Sequence, residues 1–200
     1  MAAEGRWRRT GREVLHTGRF LRLLRDTVEA PGAPGYAYEH VQVADAVRVV
    51  ALDGQGRIVL VEDEFYLTGR RMPSLPGGGI EPGELPEAAA RRELEEETGL
   101  LARHWEPLGA VHPLPGASST VVHLFRATEL HPGRRAPDDT EGELTVRECP
   151  FAEALAMALD GRITEAGSVT ALLLADRRPT GRPAPTTRET TPGPGATDGQ

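Results

Sequence analysis

The sequence predicts an α/β protein with an antiparallel β extension in front of its core, and three observations carry that reading. Residues 46–52 and 57–62 are apolar runs joined by Asp53-Gly54-Gln55-Gly56, a strand–turn–strand signal. The stretch Gly77 to Leu100 opens on three consecutive glycines and continues into a run of good helix formers that stops at Gly99. Near the other end, Phe151, Leu155 and Leu159 recur every four residues, the spacing of an amphipathic helix. The expected organisation is a β extension over 1–44, a main domain over 45–176 and a tail over 177–200.

Composition narrows the function classes. Two hundred residues suit one domain plus extensions. A net charge of −7 argues against a general nucleic-acid or anionic-membrane binder. Cys149 is the only cysteine, so no intrachain disulfide forms and a reducing cytoplasm is expected. No apolar run reaches the roughly 18 residues of a membrane span, and basic Met1–Arg9 leads into no apolar leader segment.

From Glu13 to Val28 the chain reads as strands, with Val14 in the first and Phe20–Val28 the second. Pro31–Gly35 is a turn cluster, and Tyr36–Val43 alternates as another strand. In the strand pair that follows, Val47, Val49 and Ala51 face one way while Ile58 and Leu60 continue the core. Asp63–Ser74 reads as a connecting segment carrying Arg70 and Arg71, either exposed charges or a phosphate-reaching pair.

The helix after the glycine loop has Pro86 in its first turn and Gly99 as its stop. Glu93 and Glu97 are four apart on one face, with Glu96 flanking them. Like charges on one stripe repel, and Glu97 also stands where the helix dipole disfavours an anion. A hard divalent cation would relieve both strains; a solvated acidic face is the plainer alternative.

Beyond the helix, Trp105–Val111 and Val121–Ala127 read as strands, with His123 pointing off the core. His112 lies in a Pro/Gly loop between them, where backbone satisfies most histidines. His131–Asp139 reads as loop, and Glu141–Val146 as a return to strand. Phe151–Leu159 is a helix ended by Gly161, with Met157 as core filler. Ser168 is read as the cap of a helix over Val169–Asp176. From Arg177 onward Arg, Pro, Thr and Gly dominate, so a disordered tail is expected.

The spacing of Gly78, Glu84, Arg92, Glu93, Leu94, Glu96, Glu97, Gly99 and Leu100 resembles the Nudix box, complete and without substitution. With glycine and glutamate each about a tenth of residues, seven fixed positions match by chance on the order of once in ten million. The resemblance implies an α/β/α sandwich around a mixed sheet and hydrolysis of nucleoside diphosphates linked to another group. It implies that Glu93 and Glu97 are principal metal ligands, with Glu96 a third and the Gly77 carbonyl a further one. Gly78, Glu84 and Arg92 would serve as structural support. The cofactor implied is Mg²⁺, with Mn²⁺ as the alternative.

Finer features resemble the ADP-ribose pyrophosphatase branch, which hydrolyses nucleotide sugars. Pro115, fifteen residues past Leu100 and followed by Gly116, resembles that branch's marker proline. In that branch the N-terminal sheet helps form an intertwined homodimer, and the acidic loop before the last strand supplies a general base. Glu141 is the first choice for that role and Glu143 the second. The chain departs from the branch in having Glu64-Phe65 where an arginine is usual, Ser74-Leu75-Pro76 before the glycine loop, and Ser118-Ser119-Thr120 after the Pro-Gly. Arg70 and Arg71 are the candidates to replace the missing cation. Two rival readings are another Nudix class (nucleoside triphosphate, dinucleoside polyphosphate or coenzyme) and a non-catalytic nucleotide-sugar sensor.

Overall fold

A computed structural model describes residues 7–136 and 144–177. Strands β1 (Arg8–Thr17), β2 (Arg22–Ala30) and β3 (Ala33–Gln42) form an antiparallel sheet in the order β1-β2-β3. β1 begins earlier than the apolar pattern indicates because charge pairs across the sheet build its first half. Arg8 bonds Glu29 at 2.7 Å and Arg12 bonds Asp26 at 2.7 Å. The expected turn cluster is shorter than the prediction, since Ala30 already faces Ala33 across the hairpin.

The core holds two further sheets. β4 (Ala46–Ala51), β8 (Val122–Pro132) and β7 (Leu100–Val111) are ordered β4-β8-β7, with β4 parallel and β7 antiparallel to β8. β6 (Arg70–Ser74), β5 (Arg57–Phe65) and β9 (Thr145–Pro150) form an antiparallel sheet ordered β6-β5-β9. The period of two along β4 and β5 divides the core. Val47, Val49, Ala51 and Val59 pack with Phe125 on Ala89, Ala90 and Leu94 of helix α1 (Pro86–Thr98). On the opposite face Val50, Ile58, Leu60 and Leu124 meet Ala154 and Met157 of α2 (Phe151–Leu159) and Ala171 and Leu172 of α3 (Ala166–Arg177). Helices therefore cover both faces, as expected of the sandwich. Leu94 is fully buried, and a leucine so placed contributes about 1.5–3 kcal/mol to holding α1 on the sheet.

Several boundaries differ from the sequence reading. Asp63–Ser74 is a hairpin, not a loop: β5 runs on to Phe65 and β6 returns with Glu64 opposite Arg71. Met72 and Ser74 are buried there, an alternation that two arginines and a proline mask in the sequence. β7 starts at Leu100, directly after the helix stop, and β8 extends through His131, which pairs with Leu101. His123 is half-buried, and burial holds its pKa below the usual histidine value against the opposing pull of Asp45. α3 begins at Ala166, so Ser168 lies inside it. The capping acceptor is Glu165, whose carboxylate takes the N–H groups of Gly167 and Ser168 at 2.9 and 2.7 Å. Met157 is buried, as expected of core filler; Cys149, near the end of β9, is buried too, and burial raises its thiol pKa.

Candidate active site

The segment after β6 runs alongside β4 and becomes the glycine loop. Val49 N–H donates to Pro76 O and Val47 N–H to Gly78 O, both at 2.9 Å. Gly77, at φ 141°, sits between them, and a Cβ there would lie 2.2 Å from Val47 O. A Cβ on Gly78 would lie 2.6 Å from Glu93 Oε1. The backbone itself demands glycine at Gly77, whereas at Gly78 a side chain would have to displace the Glu93 carboxylate.

Helix α1 begins at Pro86 and ends at Gly99, whose left-handed backbone N–H bonds Glu95 O. It presents Glu93 and Glu97 to this loop, each nearly buried at 7% and 5% exposure. Gly77 N–H donates to Glu97 Oε2 at 2.8 Å. Arg92 lies at the centre of the remaining carboxylates. Its Nη1 donates to Glu93 Oε1 at 2.9 Å and Glu96 Oε2 at 3.0 Å. Its Nε and Nη2 hold Glu84 in a fork at 3.1 and 3.0 Å, and Nη2 also reaches Gly79 O at 2.9 Å. That fork holds the Glu84 carboxyl below its ordinary pKa and raises the Arg92 guanidinium above its own.

Among the described residues no group of three or more His, Cys, Asp or Glu side chains converges as a ready-made metal cage. Glu93 and Glu96 are instead drawn toward Arg92, and the Gly77 carbonyl accepts Arg48 Nη1 at 2.6 Å with one of its two lone pairs. The donor set nevertheless suits a hard dication. Glu93 and Glu97 are carboxylates one turn apart on a packed helix, and the loop is cut back to hydrogen where it meets Glu93.

The other predicted site residues divide. Arg70 and Arg71 lie on β6. Arg71 pairs with Glu62 at 3.3 Å and donates to Thr145 Oγ1 at 3.1 Å, so it braces β5 and β9 rather than standing as a bare cation. Pro115 lines a cleft of about 840 Å³ with Trp7, Tyr38, Arg8, Arg12 and His40, where the β7–β8 loop meets the N-terminal sheet. Tyr38 Oη donates to Gly116 O at 2.7 Å and Val41 N–H to Ala117 O at 2.8 Å, which fixes that junction. The departing residues Ser118 and Thr120 bond each other at 2.7 Å and are buried. His112 bonds Thr120 O at 3.3 Å, as expected of a loop histidine.

Glu141 and Glu143 lie outside the described residues. The leading flank of their segment meets the C-terminal end of α1, with Ala136 N–H donating to Glu96 O at 3.0 Å and Arg135 Nε to Glu97 O at 2.8 Å, and Arg135 Nη2 ties it to the trailing flank at Leu144 O, 2.6 Å away. Sequence reasoning singled out neither Arg135 nor Arg48. Arg48 did leave a signal, a cation inside the apolar run Val47 to Ala51.

Comparison with known proteins gives a consistent set of relatives. The model of the family described as NUDIX domain matches residues 43–189. The chain is 36% identical over 171 residues to the ADP-ribose pyrophosphatase of Mycobacterium tuberculosis, covering 84% of this chain and 83% of that protein. It is 31% identical over 162 residues to the ADP-ribose pyrophosphatase of Bacillus subtilis, covering 80% of this chain and 88% of that one. A solved structure described as an ADP compounds hydrolase shares the fold at a TM-score of 0.76 and 23% identity, covering 86% of this chain and 94% of that chain.

Proposed function

The chain belongs to the Nudix family of hydrolases, and on that premise we propose that it hydrolyses the diphosphate of a nucleotide sugar, ADP-ribose first, to a nucleoside monophosphate and a sugar phosphate. The observation that carries the reading is the pair of buried glutamates, Glu93 and Glu97, set on α1 against a glycine loop that excludes any side chain beside Glu93. Glu93, Glu97 and Glu96 would hold Mg²⁺ or Mn²⁺, which when bound neutralises diphosphate oxygens and makes water a better nucleophile.

The chain's own residues do the placing. Gly77 N–H fixes one Glu97 oxygen and so sets the orientation of the carboxylate. The Arg92–Glu84 fork locks the loop to the helix, so the carboxylates keep their places as charge builds on the diphosphate. Glu141, with Glu143 as the second choice, would orient or deprotonate the attacking water; the anchoring of Arg135 and Ala136 to the end of α1 supports that role. The cleft at Pro115 suits a nucleotide: Arg9 brings positive charge beside Arg8 and Arg12, which are paired with Glu29 and Asp26, and Trp7 and Tyr38 bring aromatic faces. We further read β1–β3 as a homodimerisation sheet, on the strength of Trp7, Phe20 and Tyr36, exposed at 49%, 74% and 43%. A reducing cytoplasm suits the single buried thiol.

The test is product release from ADP-ribose, other nucleotide sugars, NADH, dinucleoside polyphosphates and deoxynucleoside triphosphates, with Mg²⁺ and with Mn²⁺. ADP-ribose is expected to be the best substrate, and Glu97→Gln to cut turnover by orders of magnitude with the fold intact. Preferential turnover of a triphosphate or dinucleotide would reassign the substrate class, and near-normal activity of Glu97→Gln would sink the ligand assignment.

A further inference from the structure

Arg48 stands where an apolar residue is expected, between fully buried Val47 and Val49 on β4. Its side chain is 15% exposed and that of its partner Glu165 20%, joined Nε to Oε2 at 3.0 Å. With the other arm Arg48 reaches across to the glycine loop: Nη1 donates to Val47 O at 2.8 Å and Gly77 O at 2.6 Å. Glu165 is held in turn by the start of α3, accepting from Gly167 N at 2.9 Å and from both the N–H and hydroxyl of Ser168 at 2.7 Å. The same Ser168 hydroxyl accepts Leu75 N–H at 2.9 Å, two residues before Gly77. The loop is thus fastened to the start of α3 at two points, through Arg48 to Glu165 and through Leu75 to Ser168, which Glu165 itself holds.

Gly77 has no side chain to restrain its two flanking peptides, so hydrogen bonds set their orientation. Its N–H goes to Glu97 Oε2 and its C=O to Arg48 Nη1. Turning one peptide disturbs the other through the shared Cα. A charge buried at this position is costly unless it is paired and its geometry is used. Both conditions are met, and only an arginine fork grips Glu165 and two carbonyls at once.

We propose that Arg48, clamped by Glu165, is a positioning residue: it fixes the Gly77 peptide and through it the Glu97 carboxylate. The inference rests on Glu97 being a metal ligand and adds α3 to the elements that set the site. Outer groups that orient metal ligands change affinity or activity by about 10–100-fold when removed.

The test uses Arg48→Lys, which keeps the charge but loses the fork, and Glu165→Gln, which loses the clamp, each shown by circular dichroism to be folded. Two readouts apply: exchange of the Gly77 amide in metal-free protein, followed by NMR, and Mn²⁺ affinity, measured by electron paramagnetic resonance. Both variants are expected to exchange Gly77 faster and to bind Mn²⁺ about ten-fold more weakly, with kcat reduced more than KM is raised. Wild-type exchange and wild-type Mn²⁺ affinity in both variants would overturn the inference. Glu97→Gln is the control for the reading beneath it. If that variant binds Mn²⁺ normally, the ligand assignment is what fails, and Gly77 exchange still decides whether Arg48 holds the loop.

Discussion

Gly77 and Gly78 adjoin in sequence but are glycines for different reasons, and substitution separates those reasons. A Cβ at Gly77 meets backbone, at 2.2 Å from Val47 O, in a conformation that L side chains rarely adopt. Neither β4 nor the loop can yield cheaply, so Gly77→Ala is expected to cost at least about 1–3 kcal/mol, read as a fall in Tm. A Cβ at Gly78 meets the Glu93 carboxylate at 2.6 Å, the mobile end of a side chain. Gly78→Ala is therefore expected to keep most of its stability while pushing Glu93 out of place. A misplacement near 1 Å costs turnover about 100-fold. Thermal melts and kcat on the pair check the contrast; a Gly78→Ala enzyme with wild-type kcat would show that the Glu93 position is not critical.

At the scale of elements, α1 carries an unfavourable charge arrangement that another element corrects. No basic residue stands in its last turn, and Glu97 is set where the dipole repels anions. Arg135 supplies the missing cation from beyond β8, capping Glu97 O and reaching Leu144 O on the far side of the segment that bears Glu141 and Glu143. Arg135→Ala is expected to lower kcat about ten-fold and Tm by a few degrees, with Arg135→Lys restoring part of each. Unchanged kcat would separate this tie from turnover. The same helix shows what was legible beforehand. Pro86 and Gly99 are local signals, so its limits read directly from the sequence, as do those of α2 over Phe151–Leu159. The Glu84–Arg92 brace was legible too, because the box spacing encodes it. What escaped depends on distant partners. Ser168 looks like a cap until Leu75 takes its hydroxyl, β6 looks like loop until Met72 and Ser74 are seen buried, and Arg135 has meaning only beside the end of α1.

Below neutral pH, Asp26, Glu165 and His123, whose pKa values folding lowers, tie the stability of the whole molecule to pH in one direction. The Arg12 fork holds Asp26 below its ordinary value on the N-terminal sheet. At Glu165 burial favours the neutral acid, but Arg48, Ser168 and the Gly167 and Ser168 amides outweigh it, and its pKa is also lowered. Carboxylates lowered by folding add stability above their unfolded values, 3.8 and 4.5, and lose it as pH falls through the folded ones. His123 acts at milder pH. Burial lowers its pKa, so the unfolded chain takes up a proton near 6.5 before the folded one does. Its contribution is therefore complete above 6.5 and is eroded below it, well before either carboxylate protonates. The expected result is a Tm that declines from pH 7.5 to 5.5, with a shallower decline in His123→Gln, whose side chain has no proton to gain in that window. The remaining decline below pH 4.5 should survive in His123→Gln and shrink in Asp26→Asn. A His123→Gln protein whose Tm falls between pH 7.5 and 5.5 as steeply as the wild type would show that the half-buried imidazole on β8 does not govern the response.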